Sequence, residues 1–173
     1  MKKSILLFLI PFCISCSEKK NAKQELYYFS LKNFFQDEVK RLNSQKPLVN
    51  KSVIHNGKLE EKKIQLSDWS TELSLFRESD INKNSWKNSF RKDSSDKKIV
   101  YTSLDDDIRT KKIEIIFGDH QQVEALKVLN STRNFLYQSS EELTYFPDSL
   151  YQIHKKQQVF ILGENDYLIT SLF

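Results

Sequence analysis

Apolar and polar positions change rhythm along this chain, and each rhythm predicts an element. Tyr28, Leu31, Phe35, Val39 and Leu42 recur at steps of three and four, the spacing of one helix face. Gln36, Asp37, Lys40 and Arg41 fall largely on the wet side. The helix must stop before Pro47, because the residue preceding a proline avoids helical angles. Leu48 to His55 is rich in β-branched residues and leads into Asn56-Gly57, a two-residue hairpin signal. The return strand, Lys58 to Gln65, is polar and is expected at a sheet edge. Ser67-Asp68 offers an N-cap, and Trp69, Leu73 and Phe76 share one face of a second helix ending near Asp80. Asp80-Ile81-Asn82-Lys83 with Trp86 and Phe90 reads as an aromatic-anchored loop, and Arg91 to Lys98 as a polar break.

From Lys98 the period becomes two. Strands are expected at Ile99–Leu104, at Ile113–Phe117, and at Val123–Leu129. Phe135–Ser139 and Leu143–Phe146 read as one long bent strand, followed by Leu150–His154, Val159–Leu162 and Tyr167–Phe173. The three glycines fall at proposed hairpin turns, where positive φ is expected. Helices first and strands last give an α+β class. Two N-terminal helices are expected to pack on one face of a C-terminal antiparallel β-meander sheet, with the other face polar enough to meet water.

The first residues break this pattern. Met1-Lys2-Lys3 is basic, Ile5 to Ser15 is apolar apart from Pro11, and Cys16 follows. That is the layout of a secretion signal, and the apolar run is shorter than the roughly 20 residues a bilayer span needs. Cys16 follows the small Ser15, whereas Cys13 follows the bulky Phe12. Cys13-Ile14-Ser15-Cys16 resembles the bacterial lipobox, departing from it at the first position, where leucine is usual. The resemblance implies a signal peptide over residues 1–15, a diacylglycerol on Cys16, a tether over residues 16–24 and one domain over residues 25–173. The alternative is an ordinary leader cut after Ser17.

Composition narrows the class further. With 12 Phe, 7 Tyr and 2 Trp, the chain carries enough aromatic mass for a core. Three glycines are too few for a glycine-rich phosphate loop, and Cys13 and Cys16 cannot make a disulfide framework. The net charge is +4; without Lys2 and Lys3 the 27 basic residues become 25 against 23 acidic. The charges are well mixed, so no nucleic-acid stripe is present. Lys19, Lys20 and Lys23 read as a solvated tether.

Asp68-Trp69, Glu72-Leu73, Phe76, Asp80-Ile81-Asn82-Lys83 and Trp86 form a distinctive series. With the leader and the segments around Tyr137, Tyr151-Gln152-Ile153 and Tyr167-Leu168-Ile169, the chain resembles a group of uncharacterised lipoproteins of Bacteroidota. That resemblance implies an envelope location and a fold, not a mechanism.

Reaction chemistry is thin. His55, His120 and His154 lack a second ligand at paired spacing. Asp105-Asp106-Asp107 lacks the glycine and glutamate spacing of an EF-hand and reads as a solvated turn. No G-x-S-x-G elbow occurs, and neighbours such as Glu60-Glu61 or Glu141-Glu142 point to opposite faces of a strand. Asp148-Ser149-Leu150 resembles an O-glycosylation pattern of secreted Bacteroidota proteins, and also suits a plain turn. No cofactor or metal motif is present. Trp69, Asp80, Asn82, Lys83 and Trp86 are the candidate binding surface, since indoles beside polar groups stack on sugars or peptides; the competing reading makes Asp80 and Asn82 caps and the tryptophans core anchors.

The expectation is a lipid-anchored envelope protein at the outer membrane, on its periplasmic or surface face. It would act by binding or by assembling with envelope partners, without nucleic acid. The rivals are a hydrolase or carbohydrate-processing accessory with a non-local site, and a carrier of apolar ligands.

Overall fold

The computed structural model describes residues 25–161 and 163–173. The expected signal peptide, the lipidation site Cys16 and the tether lie outside the described residues. The chain opens with α1 (Leu31–Gln45), β1 (Leu48–His55) and β2 (Lys58–Gln65). Two short helices follow, α2 (Trp69–Glu72) and α3 (Ser74–Glu78), then a 3-10 turn at Asn84–Trp86. The rest is strand: β3 (Phe90–Ser95), β4 (Lys98–Ser103), β5 (Thr110–Phe117), β6 (Val123–Arg133), β7 (Tyr137–Phe146), β8 (Leu150–Val159) and β9 (Gly163–Leu172). The strands form one nine-stranded antiparallel sheet in the order β2-β1-β9-β8-β7-β6-β5-β4-β3. The architecture is a sheet-dominated α+β fold.

Local chemistry sets the ends of the elements. The Ser30 hydroxyl accepts from the Asn33 N–H at 3.1 Å, so α1 starts at Leu31 and Tyr28 lies outside it. The Tyr28 ring instead stands edge-on to Phe90 and Tyr101. Lys46 closes α1 in the left-handed region at φ 47°. The second helix is not continuous: Leu73 (φ −97°, ψ 13°) separates α2 from α3. At the Asn56-Gly57 turn both residues take positive φ, 49° and 81°, as the hairpin requires. Gly118 does not; the left-handed residue of its turn is Gln121, at φ 61°.

Two further expectations are corrected. The polar stretch Arg91–Lys98 is a hairpin, with β3 as an edge strand paired only to β4. Its residues from Arg91 to Ser95 are exposed, so no alternation betrays it. The polar interruption at Lys155 to Gln158 does not end a strand: β8 is continuous where two strands were expected, while β7 runs unbroken through Ser140 to Glu142 as the single-strand reading had it, though from Tyr137 and not Phe135. Backbone pairing to a neighbour on both sides carries them through.

Register places three rows on the face of the sheet that holds the core. Ile115, Leu126, Tyr145, Tyr151, Ser171 and Lys51 align in the first. Ile113, Val128, Leu143, Ile153, Ile169 and Val53 align in the second. Asn130, Glu141, Lys155, Tyr167 and His55 align in the third. The first row from Ile115 to Tyr151 and the second from Ile113 to Ile169 join the buried helical residues Leu31, Phe35, Leu42, Trp69, Leu73 and Phe76 in one hydrophobic cluster. The opposite face is polar, with pairs such as Lys98–Glu114, Lys127–Glu142 and His154–Asp166.

Candidate functional site

The segment from Asp68 to Trp86 holds all the surface residues singled out by sequence, and its polar groups are built into the fold. The Asp68 carboxylate accepts from the N–H groups of Ser70 and Thr71, at 2.8 and 3.3 Å, which starts α2. The Thr71 hydroxyl also donates to it at 2.6 Å, and this bond holds the Asp68 carboxyl below its ordinary range. Asp80 accepts from the Ser30 hydroxyl at 3.1 Å, the Lys32 N–H at 2.8 Å and the Asn82 N–H at 2.8 Å. It therefore caps α1 from another segment while closing its own turn. Asn82 is buried; its carbonyl oxygen accepts from the Tyr27 and Tyr28 N–H groups, both at 3.0 Å, and its amide donates to the Phe29 carbonyl at 3.3 Å. Asp80 and Asn82 thus stitch residues 27–32 to the end of α3.

Of the five candidate surface residues two are corrected: Asn82 is buried within its clamp, and Trp69 is fully buried, edge-on to Tyr151 and Phe173. A ring of that size goes to the core because the sheet offers two aromatic partners and α2 presents it there. Lys83 is exposed, with its ammonium 3.8 Å from the ring centre of the half-buried Trp86. These two remain at the surface. Beside them an open cleft of about 500 Å³ is bounded by Leu26, Lys32, Arg77, Glu78 and Lys83. Its walls mix three cations, Lys32, Arg77 and Lys83, with two carboxylates, Glu78 and Asp80, so it suits a zwitterionic contact.

The other candidates stay apart. His55 stacks on Tyr167 with ring centres 4.1 Å apart, His154 lies 2.9 Å from Asp166, and His120 is exposed in a turn. Among the described residues no group of three or more His, Cys, Asp or Glu is placed to hold a metal ion. Asp105 accepts from the Asp107 N–H at 2.8 Å within an exposed turn. Ser149 is exposed in the β7–β8 turn, where Asp148 takes φ 58° and pairs with Arg41. Glu141 and Glu142 do point to opposite faces.

Two features escaped sequence reasoning. The first is a buried ionic knot: Glu141 pairs with Arg109, with Lys155 at 3.1 Å and with the Asn130 amide at 3.2 Å. The Asn130 amide also reaches the Ser79 hydroxyl at 2.9 Å. Burial alone pushes the Glu141 carboxyl up, but Arg109, Lys155 and Asn130 together outweigh it and hold the group below its ordinary range. Only the in-register pairing of Glu141 with Lys155 and Asn130 reveals this. The second is a pair of apolar turns. Phe135 and Leu136 between β6 and β7, and Phe160 and Ile161 between β8 and β9, stand largely in water. Their signal was legible: turns are normally polar, and these are not.

No protein-family model, no curated protein and no solved structure matches this chain.

Proposed function

We propose that this is a lipid-anchored envelope protein, held at the outer membrane by diacylglycerol on Cys16, that works by binding or assembling with other envelope components. One observation carries the reading: a basic start, a short apolar run and the small Ser15 before Cys16 stand a few residues ahead of a folded domain that begins near Glu25. Among the described residues no helix is long and apolar enough to cross a membrane, so that leader is the only anchor this reading uses. Two or three acyl chains hold a protein at a bilayer durably, whereas one does so marginally.

A binding role is preferred to a carrier role because the interior is filled. Phe35, Phe76 and Tyr145 meet ring to ring, with centres 4.7 to 5.9 Å apart. The same contacts support the finer architecture in this reading, in which the helices lie on the C-terminal strands. Lys83, Trp86 and the cleft beside them are the surface offered to a polar partner.

The test is expression with the native leader in a diderm bacterium, followed by mass analysis of the mature N-terminus. The expected product begins at Cys16, takes up labelled palmitate and loses the label in Cys16→Ser. A mature chain beginning at Glu18, with no added lipid mass, would overturn the anchor.

A further inference from the structure

The turns at the free ends of β6–β7 and β8–β9 have the composition of a contact surface, not of ordinary loops. Phe135 is 89% exposed, Leu136 59%, Phe160 77% and Ile161 85%. The Phe135 and Phe160 rings stack across the two turns with centres 6.3 Å apart, making one continuous apolar tip. No charged residue lies between Asn134 and Tyr137 or between Val159 and Ile161. Patches of this kind on a protein surface mark an interaction site.

Four observations select the occupant. The apolar groups crown the hairpin ends and are exposed themselves, beside an open hollow of about 330 Å³ between the two turns. Entry into a lipid phase favours turns whose backbone donors are already engaged, as those of Asn134, Leu136, Tyr137 and Phe160 are. The Asn134 side-chain Oδ1 accepts from the N–H groups of Leu136 and Tyr137 at 3.0 and 2.9 Å. The Asn134 N–H donates to the Tyr137 carbonyl at 2.8 Å, and the Phe160 N–H donates to the Leu136 carbonyl at 3.1 Å. Below the tip stands Tyr137, whose hydroxyl accepts from Gln157 at 2.8 Å, an aromatic of the kind that sits at headgroup level. The flanking charges, Arg133 and Glu164, are of opposite sign, so the attraction is apolar and not electrostatic.

We propose that Phe135, Leu136, Phe160 and Ile161 form a second, reversible membrane contact that dips into the headgroup–acyl boundary of a bilayer. The nearness of that bilayer rests on the anchor reading: residues 16–24, fully extended, reach about 30 Å, which keeps the domain beside the surface it is tied to. The two contacts together fix which side of the domain faces the lipid.

The chain starting at Ser17 keeps every described residue and carries no lipid, so it isolates this contact from the anchor. It is mixed with phosphatidylcholine–phosphatidylethanolamine vesicles and sedimented. The expected result is measurable partition that is insensitive to added salt. It falls at least tenfold in F135D/F160D and is unchanged in L59D, which alters an exposed leucine elsewhere. A Phe135→Trp chain should also lose indole emission when the vesicles contain brominated acyl chains, a readout that needs no disruptive change. Failure of the Ser17 chain to partition, equal partition of F135D/F160D, or a dimer that F135D/F160D dissolves would each overturn the proposal. None of these bears on whether Cys16 is lipidated.

Discussion

The β7–β8 hairpin buries aromatic residues at one end and leads into turns that expose them at the other, and the two ends live under opposite rules. At one end Tyr145 and Tyr151 are fully buried. Each donates its hydroxyl to a helical carboxylate, Tyr145 to Glu38 and Tyr151 to Glu72. Each carboxylate also meets a cation, Arg41 at 2.6 Å for Glu38 and Lys51 at 2.7 Å for Glu72. Burial first, and then the neighbouring carboxylate, raise both phenols far above the ordinary tyrosine range. At the other end Phe135 and Phe160 have no polar handle and no cover. The lesson is that aromatic content is not a measure of core size: the same strands and turns spend it on packing at one end and on surface at the other.

The sharpest way to break this contrast is at the buried end. Tyr145→Ala should cost about 3–5 kcal/mol, because it empties space that Phe35 and Phe76 border and leaves Glu38 one donor short. A drop in urea midpoint at unchanged slope is the expected signature. Between the two ends, Glu141→Gln should cost about 3 kcal/mol by leaving Arg109 and Lys155 without their shared anion. Its pH dependence has a fixed sign. A carboxyl held below its unfolded value stabilises the fold above the unfolded value, and that gain is lost as pH falls through the folded one. The gap between wild type and Glu141→Gln should therefore be full above about pH 5 and shrink below about pH 4, measured by thermal melts across that range.

Tyr151→Phe keeps the ring and removes only the hydroxyl, so about 1.5 kcal/mol is expected, the worth of a hydrogen bond to a charged acceptor. The smallest effect belongs to the exposed end. Phe135→Ser should leave the melting transition within about 0.5 kcal/mol of wild type, since its ring shields little. A large loss there would mean that the turns are part of the core after all.

What could be read from sequence follows the same divide. The first hairpin was legible residue for residue, because Asn56-Gly57 sets a two-residue turn and β-branched residues precede it. The α1 stripe was legible too, apart from Tyr28, which the Ser30 cap excludes. β3 was not legible, since an edge strand solvated on both faces has no alternation to show. The join of β7 was read, but that of β8 across Lys155 to Gln158 was hidden, because its polar residues stand in a ladder paired on both sides, with Lys155 on the buried knot, instead of ending a strand. Within the candidate surface, Asp80 and Asn82 were correctly found as special and given two readings. The structure engages both in caps and clamps and leaves Lys83 with Trp86 outward. Trp69 could not be sorted from Trp86 without knowing that Tyr151 and Phe173 wait beneath it.

The outermost strands carry one more consequence. An open sheet ends in two rows of unpaired backbone groups, which is a template for stacking one copy onto the next. Here β2 presents Lys58, Glu60, Glu61, Lys62 and Lys63 along its length, and β3 presents Arg91, Lys92 and Asp93. Another strand brought alongside must strip water from these groups and match them in sign. However densely such molecules are gathered on a surface, they should remain separate bodies and not zip into ribbons.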